Sequence, residues 1–219
     1  MTRRLHRLVV LWSYLGETLS GCHVVHSDIV VKFWMRELPS VERVRPSCCP
    51  RCGVGSRPLG GCLQVVGHGL RDRQIRGCID AGDGAVCITI RVRRYRCRAC
   101  GAVMTVVPLG VAARRHFGAG TLGLAVALFG HGGRARQIRE RLGGLGPPEV
   151  HGWVTLRRWT AALVRGALLP RLGPLPLTAP RARAARAAMI LVTHAPTDLS
   201  STGFARQAFE GAVRLARAA

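Results

Sequence analysis

Two cysteine pairs carry the most legible chemistry of this chain: Cys49-Pro50-Arg51-Cys52 followed by Gly53, and Cys97-Arg98-Ala99-Cys100 followed by Gly101. A Cys-x-x-Cys turn aims two sulfurs at one ion, the trailing glycine lets the turn close with positive φ, and two such knuckles complete a tetrahedron. The spacing predicts one zinc ion held by Cys49, Cys52, Cys97 and Cys100. Four thiolates leave no open position for water, so the expected metal is structural, with a binding free energy on the order of 10 kcal/mol that goes into folding. The interval between the pairs is 44 residues, longer than a compact zinc ribbon carries. A redox role fits less well, because a thioredoxin-like motif needs a βαβ context and appears once.

The remaining cysteines and histidines rank behind these four. Cys48 sits beside the first pair, but its spacing to Cys52 is poorer. Cys62, Cys78 and Cys87 suit small buried apolar positions, and Cys78 and Cys87 are placed to face one another across a hairpin. His68 is the reserve ligand, although a hydrogen-bonded structural role is the stronger expectation for it. His194, Asp198 and Ser200 lie in a Pro- and Ser-rich loop without a nucleophile elbow, which argues against a catalytic triad. Lys32 lacks the preceding glycines of a phosphate-binding loop. The expectation is therefore a protein that is not an enzyme and takes no small-molecule substrate.

Charge points to the partner. The chain has 33 Lys+Arg against 11 Asp+Glu, a net charge of +22. A field of that sign favours a polyanion, of which double-stranded DNA is the leading choice. Arg91 and Arg93 on a strand face, with Arg134, Arg136, Arg157 and Arg158 on helices, would neutralise phosphates and bring a steep salt dependence. Arg157 or Arg158 is also placed to read guanine edges through bidentate bonds. An apolar run of about 18 residues, the length needed to span a bilayer, is absent, so no membrane partner is expected. Nine cysteines, an odd number with two pairs in metal spacing, indicate a reducing compartment. Arg3, Arg4 and Arg7 before Leu8 to Leu15, and Leu19-Ser20-Gly21-Cys22, look like a lipoprotein signal, but Glu17 interrupts it. Cytoplasmic, nucleoid-associated localisation is the expectation.

The elements that must position these residues form an α+β chain. Residues 1–45 are an N-terminal extension of uncertain fold, read as a short amphipathic helix and a strand (Val24 to Trp34) or as a segment with no fold of its own. Residues 46–108 make the zinc ribbon. Val86, Ile88, Ile90 and Val92 alternate with Cys87, Thr89, Arg91 and Arg93, the period of a half-buried strand. Asp80 to Gly84 is turn chemistry, Arg71 to Ile79 is the partner strand, and Met104 to Val107 adds a short strand ended by Pro108. Residues 109–168 read as an all-α three-helix module of helix-turn-helix type. Its segments are Thr121 to Phe129, apolar nearly all round, Arg134 to Leu142, and a third helix capped by Thr155 with Leu156, Trp159 and Leu163 inward. Residues 169–219 are a Pro/Ala-rich linker and a helical tail over Arg181 to Val192 and Thr202 to Ala218, which docks on the module or mediates a homodimer.

These residues also carry a family resemblance. Cys49-x-x-Cys52-Gly53, Gly67-His68-Gly69, the basic run Arg91 to Gly101 and Val107-Pro108 resemble the zinc-finger front end of insertion-sequence transposases, and a related family of small orphan proteins of unknown function in which a ribbon precedes a helix-turn-helix. The similarity covers residues 46 to 166, with Arg157-Arg158-Trp159 at the place of the recognition helix. It implies DNA binding and not transposition, because a transposase site needs three carboxylates on a large α/β core. After Pro108 the chain offers Glu140, Glu149, Asp198 and Glu210. Two departures are the long ribbon loop and the extended connection Gly143 to His151. The alternatives are a truncated transposase fragment whose catalytic core is absent or encoded separately, and a zinc-ribbon adaptor that binds protein or RNA.

Overall fold

The computed structural model describes residues 22–112, 116–143 and 153–217, and combines a four-stranded sheet with six helices. The mixed α+β class expected from the sequence is the one observed. The strands are β1 (Cys22–Val30), β2 (Val65–Gly77), β3 (Val86–Cys97) and β4 (Val103–Leu109). They lie in the order β1-β4-β3-β2, with β1 parallel to β4 and the other neighbours antiparallel. Residues of β4 from Met104 to Leu109 are buried without alternation, as befits a strand covered on both faces. Pro108 lies inside β4 instead of ending it. It has no N–H for the ladder, and the β1 register slips between His26 and Val30, opposite this stretch.

The expected strand at Val24 to Trp34 is a strand only as far as Val30. Helix α1 (Val31–Arg36) follows and buries Val31 and Trp34. The Trp34 indole donates to the Arg91 carbonyl at 2.8 Å, and the Tyr95 hydroxyl donates to the Val41 carbonyl at 2.6 Å. Residues 31–45 are thus anchored on one face of the sheet. The helix expected earlier in the N-terminal extension lies outside the described residues.

Strands β2 and β3 form a long hairpin. Val65 pairs with Cys97 at one end and Gly77 with Val86 at the other, on the order of 35 Å apart at 3.3 Å per residue. The tip carries the turn expected at Asp80 to Gly84, closed by Asp83 N–H to the Asp80 carbonyl. Cys78 and Ala81 of this tip are buried in the helical core. The hairpin therefore spans from the cysteine knuckles to the helices, which accounts for the long interval between the two pairs.

The helical part contains α2 (Ala119–Gly130), α3 (Ala135–Arg141), α4 (Val154–Val164), α5 (Pro180–Thr193) and α6 (Phe204–Arg217). Helix α2 is buried from Ala119 to Ala127, and a helix apolar all round must be enclosed. Its enclosing neighbours are α5 and α6, and α4 packs on α5. Where the sequence suggests a linker and tail at 169–219, Leu169, Leu172, Leu175, Ala184, Leu191, Ala208 and Phe209 belong to the same core as α2. The close approach comes from small residues. Gly120 faces the Phe209 ring, Gly123 faces the Ala208 carbonyl and Gly130 faces the backbone of Ala185. Arg181 closes the end of α2, donating to the Phe129 carbonyl at 2.8 Å while its guanidinium lies 4.6 Å from the centre of the Phe129 ring.

Candidate metal centre

The two knuckles are built alike. Gly53 N–H donates to the Cys49 carbonyl and Gly101 N–H to the Cys97 carbonyl, both at 2.9 Å. Gly53 and Gly101 each have φ of 73°, the left-handed value expected of the trailing glycines. Cys49 N–H then bonds the Val54 carbonyl, and Cys97 N–H the Ala102 carbonyl, again at 2.9 Å. A chain of backbone bonds locks the knuckles together: Ser56 N–H to Ser47, Gln64 N–H to Ser56 and Arg98 N–H to Gln64.

The sulfurs of Cys49, Cys52, Cys97 and Cys100 all lie within 4.8 Å of one another. Cys49 Sγ is 3.6 Å from Cys100 Sγ, and Cys52 Sγ is 3.7 Å from Cys97 Sγ. A tetrahedron with metal–sulfur bonds of about 2.3 Å has edges of about 3.8 Å, so these two separations fit an S4 site. Among the described residues this is the one group of three or more His, Cys, Asp or Glu side chains arranged to hold an ion.

Electrostatics agree with the geometry. Burial of Cys49 favours its neutral thiol, but the amides of Cys52 and Arg51 and the sulfurs of Cys100 and Cys52 outweigh this and lower it to about 7. Cys100 goes the other way. Despite the amide of Ala102, burial and the sulfurs of Cys52, Cys49 and Cys97 push it up to about 12. Four sulfurs this close do not all ionise without a cation among them, and a divalent metal ion such as zinc would supply that charge.

The lower-ranked cysteines and His68 stand apart. Cys48 is exposed while Cys49 is fully buried. Cys62 is exposed, and His68 lies exposed at the β2 bulge, outside the sulfur group. Cys78 and Cys87 do not face one another, because Cys87 pairs with Arg76 while Cys78 lies past the ladder in the helical core. Burial raises the Cys78 thiol.

Of the six arginines singled out by sequence, five lie on β3, α3 and α4, and Arg134 stands at the N-cap of α3. On β3, Arg91 is exposed, whereas Arg93 Nε donates to the Pro39 carbonyl at 2.7 Å. Arg134 precedes α3 and is exposed; Arg136 pairs with Glu140 at 2.9 Å. Arg157 and Arg158 are exposed on α4, opposite the buried Leu156, Trp159 and Leu163. Thr155 is not the cap of that helix: Trp153 takes the position, and it stacks edge-on with Trp159 at 5.0 Å. Arg183, which its spacing in an alanine-rich helix places on a solvated surface, is instead buried and donates to the carbonyls of Thr160 and Thr178, each at 2.6 Å.

No family model, curated protein or solved structure gives a significant match to this chain. The four-cysteine centre stands on its geometry alone. No helix among the described residues is long and apolar enough to cross a membrane.

Proposed function

We propose that this chain is a zinc-dependent DNA-binding protein, transposase-related or regulatory, that lacks its own catalytic core. The observation that carries the reading is the sulfur tetrad at the end of a basic hairpin in a chain of net charge +22. Zinc is the metal of choice, since four thiolates at tetrahedral spacing suit it and its role is structural. Duplex DNA is the polyanion, and Arg157 and Arg158 of α4 are the recognition pair, held outward because Leu156, Trp159 and Leu163 fix the other side of the helix. The few carboxylates after Pro108 support the absence of a two-metal nuclease site.

The test is a gel-shift titration over a salt series with wild type, Arg157→Ala and Arg158→Ala. The expected result is wild-type binding that weakens steeply with salt and is reduced in each variant. Equal binding by all three proteins removes the recognition-helix assignment. Weak, salt-insensitive contact by wild type removes DNA binding and favours an adaptor for protein or RNA.

A further inference from the structure

We infer that one face of the sheet, through Arg71, Arg94 and Arg96, forms a phosphate-backbone contact for duplex DNA separate from helix α4; this rests on the DNA-binding reading above. The alternation in β3 suggests an apolar face at Val86, Ile88, Ile90 and Val92, and the same face continues into Arg94 and Arg96. Register brings Arg71 to it, because Arg71 pairs with Val92, while Arg94 pairs with Thr105 and Arg96 with Val103. Arg91 and Arg93 lie on the opposite face, where residues 31–45 are anchored.

Exposure and bonding separate this row from its neighbours. Arg71 and Arg96 are exposed; Arg94 is half-buried, and its Nε is buried with no hydrogen-bond partner among the described residues. The next arginine along the face, Arg73, donates to the Ala112 carbonyl at 2.9 Å and marks where the chain after β4 covers the sheet. The acid nearest in β2, Asp72, pairs with Arg91 and so points to the other face. Arg94 and Arg96 stand about 7 Å apart at strand rise. Three guanidinium groups held on adjacent strands, with no ion pair to a carboxylate among the described residues, repel one another, and a run of phosphates relieves that repulsion while releasing counter-ions. A sheet face of this kind contacts the backbone and carries no base readout, which leaves sequence selection to α4.

The experiment measures fluorescence anisotropy of two labelled duplexes of unrelated sequence across a salt series, using the full metal-loaded chain. The variants are Arg71→Glu/Arg96→Glu, which alters two exposed positions, and Arg71→Lys/Arg96→Lys. Circular dichroism and metal content verify folding of each. The charge-reversed variant is expected to bind both duplexes at least about tenfold more weakly, with the slope of log K against log salt reduced by about 2, near 0.9 per lost phosphate contact. The lysine variant is expected to retain the wild-type slope. Wild-type binding with an unchanged slope in the charge-reversed variant overturns this inference and leaves the DNA-binding reading standing. Absence of wild-type binding overturns both. Competition by poly-glutamate as effective as competition by duplex at equal charge also overturns it, since the face then serves an acidic polypeptide.

Discussion

A β-carbon placed on Gly123 would sit 2.5 Å from the carbonyl oxygen of Ala208, so α2 and α6 meet backbone to backbone. An alanine there would gain up to about 1 kcal/mol of helix propensity, but overpacking of a closed contact costs about 1–3 kcal/mol. Gly123→Ala is expected to lower the thermal midpoint, and Gly211→Ala, whose β-carbon would overlap the Leu191 carbonyl, to lower it further. Gly82→Ala, with open space around it, is the comparison and should be near neutral. A stabilised Gly123→Ala protein would show that the helices stand further apart.

Metal removal gives the second prediction. Cys97→Ser or Cys100→Ser is expected to abolish stoichiometric metal in the purified protein, measured by elemental analysis, and to unfold the knuckle end of the sheet. Cys48→Ser should retain both metal and fold, since its side chain lies outside the sulfur cluster. A strong chelator should reproduce the Cys97→Ser spectrum, because metal affinity and folding are one free energy at such sites.

Arg183 offers a test of the helical core. Its Nη1 and Nη2 reach two carbonyls at 2.6 Å, one in α4 and one in the segment before α5. Arg183→Met leaves those acceptors without their charged donors and is expected to destabilise by about 2–4 kcal/mol in chemical denaturation. Arg183→Lys should not restore stability, because an ammonium cannot reproduce the planar fork.

Glu210 sets a pH dependence. Burial raises its carboxyl above the ordinary value of 4.5, with the Asp80 charge adding to the effect. Between the unfolded and the raised native pKa the native state binds more protons, so its stability falls as pH rises through that window. Glu210→Gln is therefore expected to be slightly more stable than wild type at pH 7, because a partly desolvated charge is removed. The difference should shrink as pH falls through the unfolded carboxyl pKa of about 4.3, as the charge is lost from both states. Denaturation midpoints of the two proteins across pH 4 to 7.5 measure it.

The knuckles were legible because their chemistry is local: four residues and a glycine state both ligand type and turn. The β2–β3 hairpin was legible from the alternation at Val86 to Val92 and the turn at Asp80 to Gly84. The position of β1 was not, since its parallel partner lies about 80 residues away and no short-range pattern encodes that pairing. The packing of α5 and α6 was present in the sequence in another form. Gly211, with Ala184, Ala208 and Ala212, looks like weak surface helix by propensity, yet small side chains permit close backbone contact with Gly120 and Gly123 of α2. Arg183 reads as solvated for the same reason that Arg157 does, because residue type alone does not reveal a cage of carbonyls. The buried α2 was the clue available, as an all-apolar helix demands more partners than α3 and α4 supply.

The parallel pairing of β1 with β4 has a consequence for how the chain is assembled. Cys22–Val30 leaves the ribosome first, yet its neighbour is complete only when Leu109 has been added. Both knuckles lie between them in the chain, so the four cysteines can gather and the hairpin close while the first strand is still waiting for its seat. The unpaired strand edge of β1 is thus exposed for most of the sheet's synthesis, and chaperone occupancy of nascent chains stalled before and after Leu109 should differ accordingly.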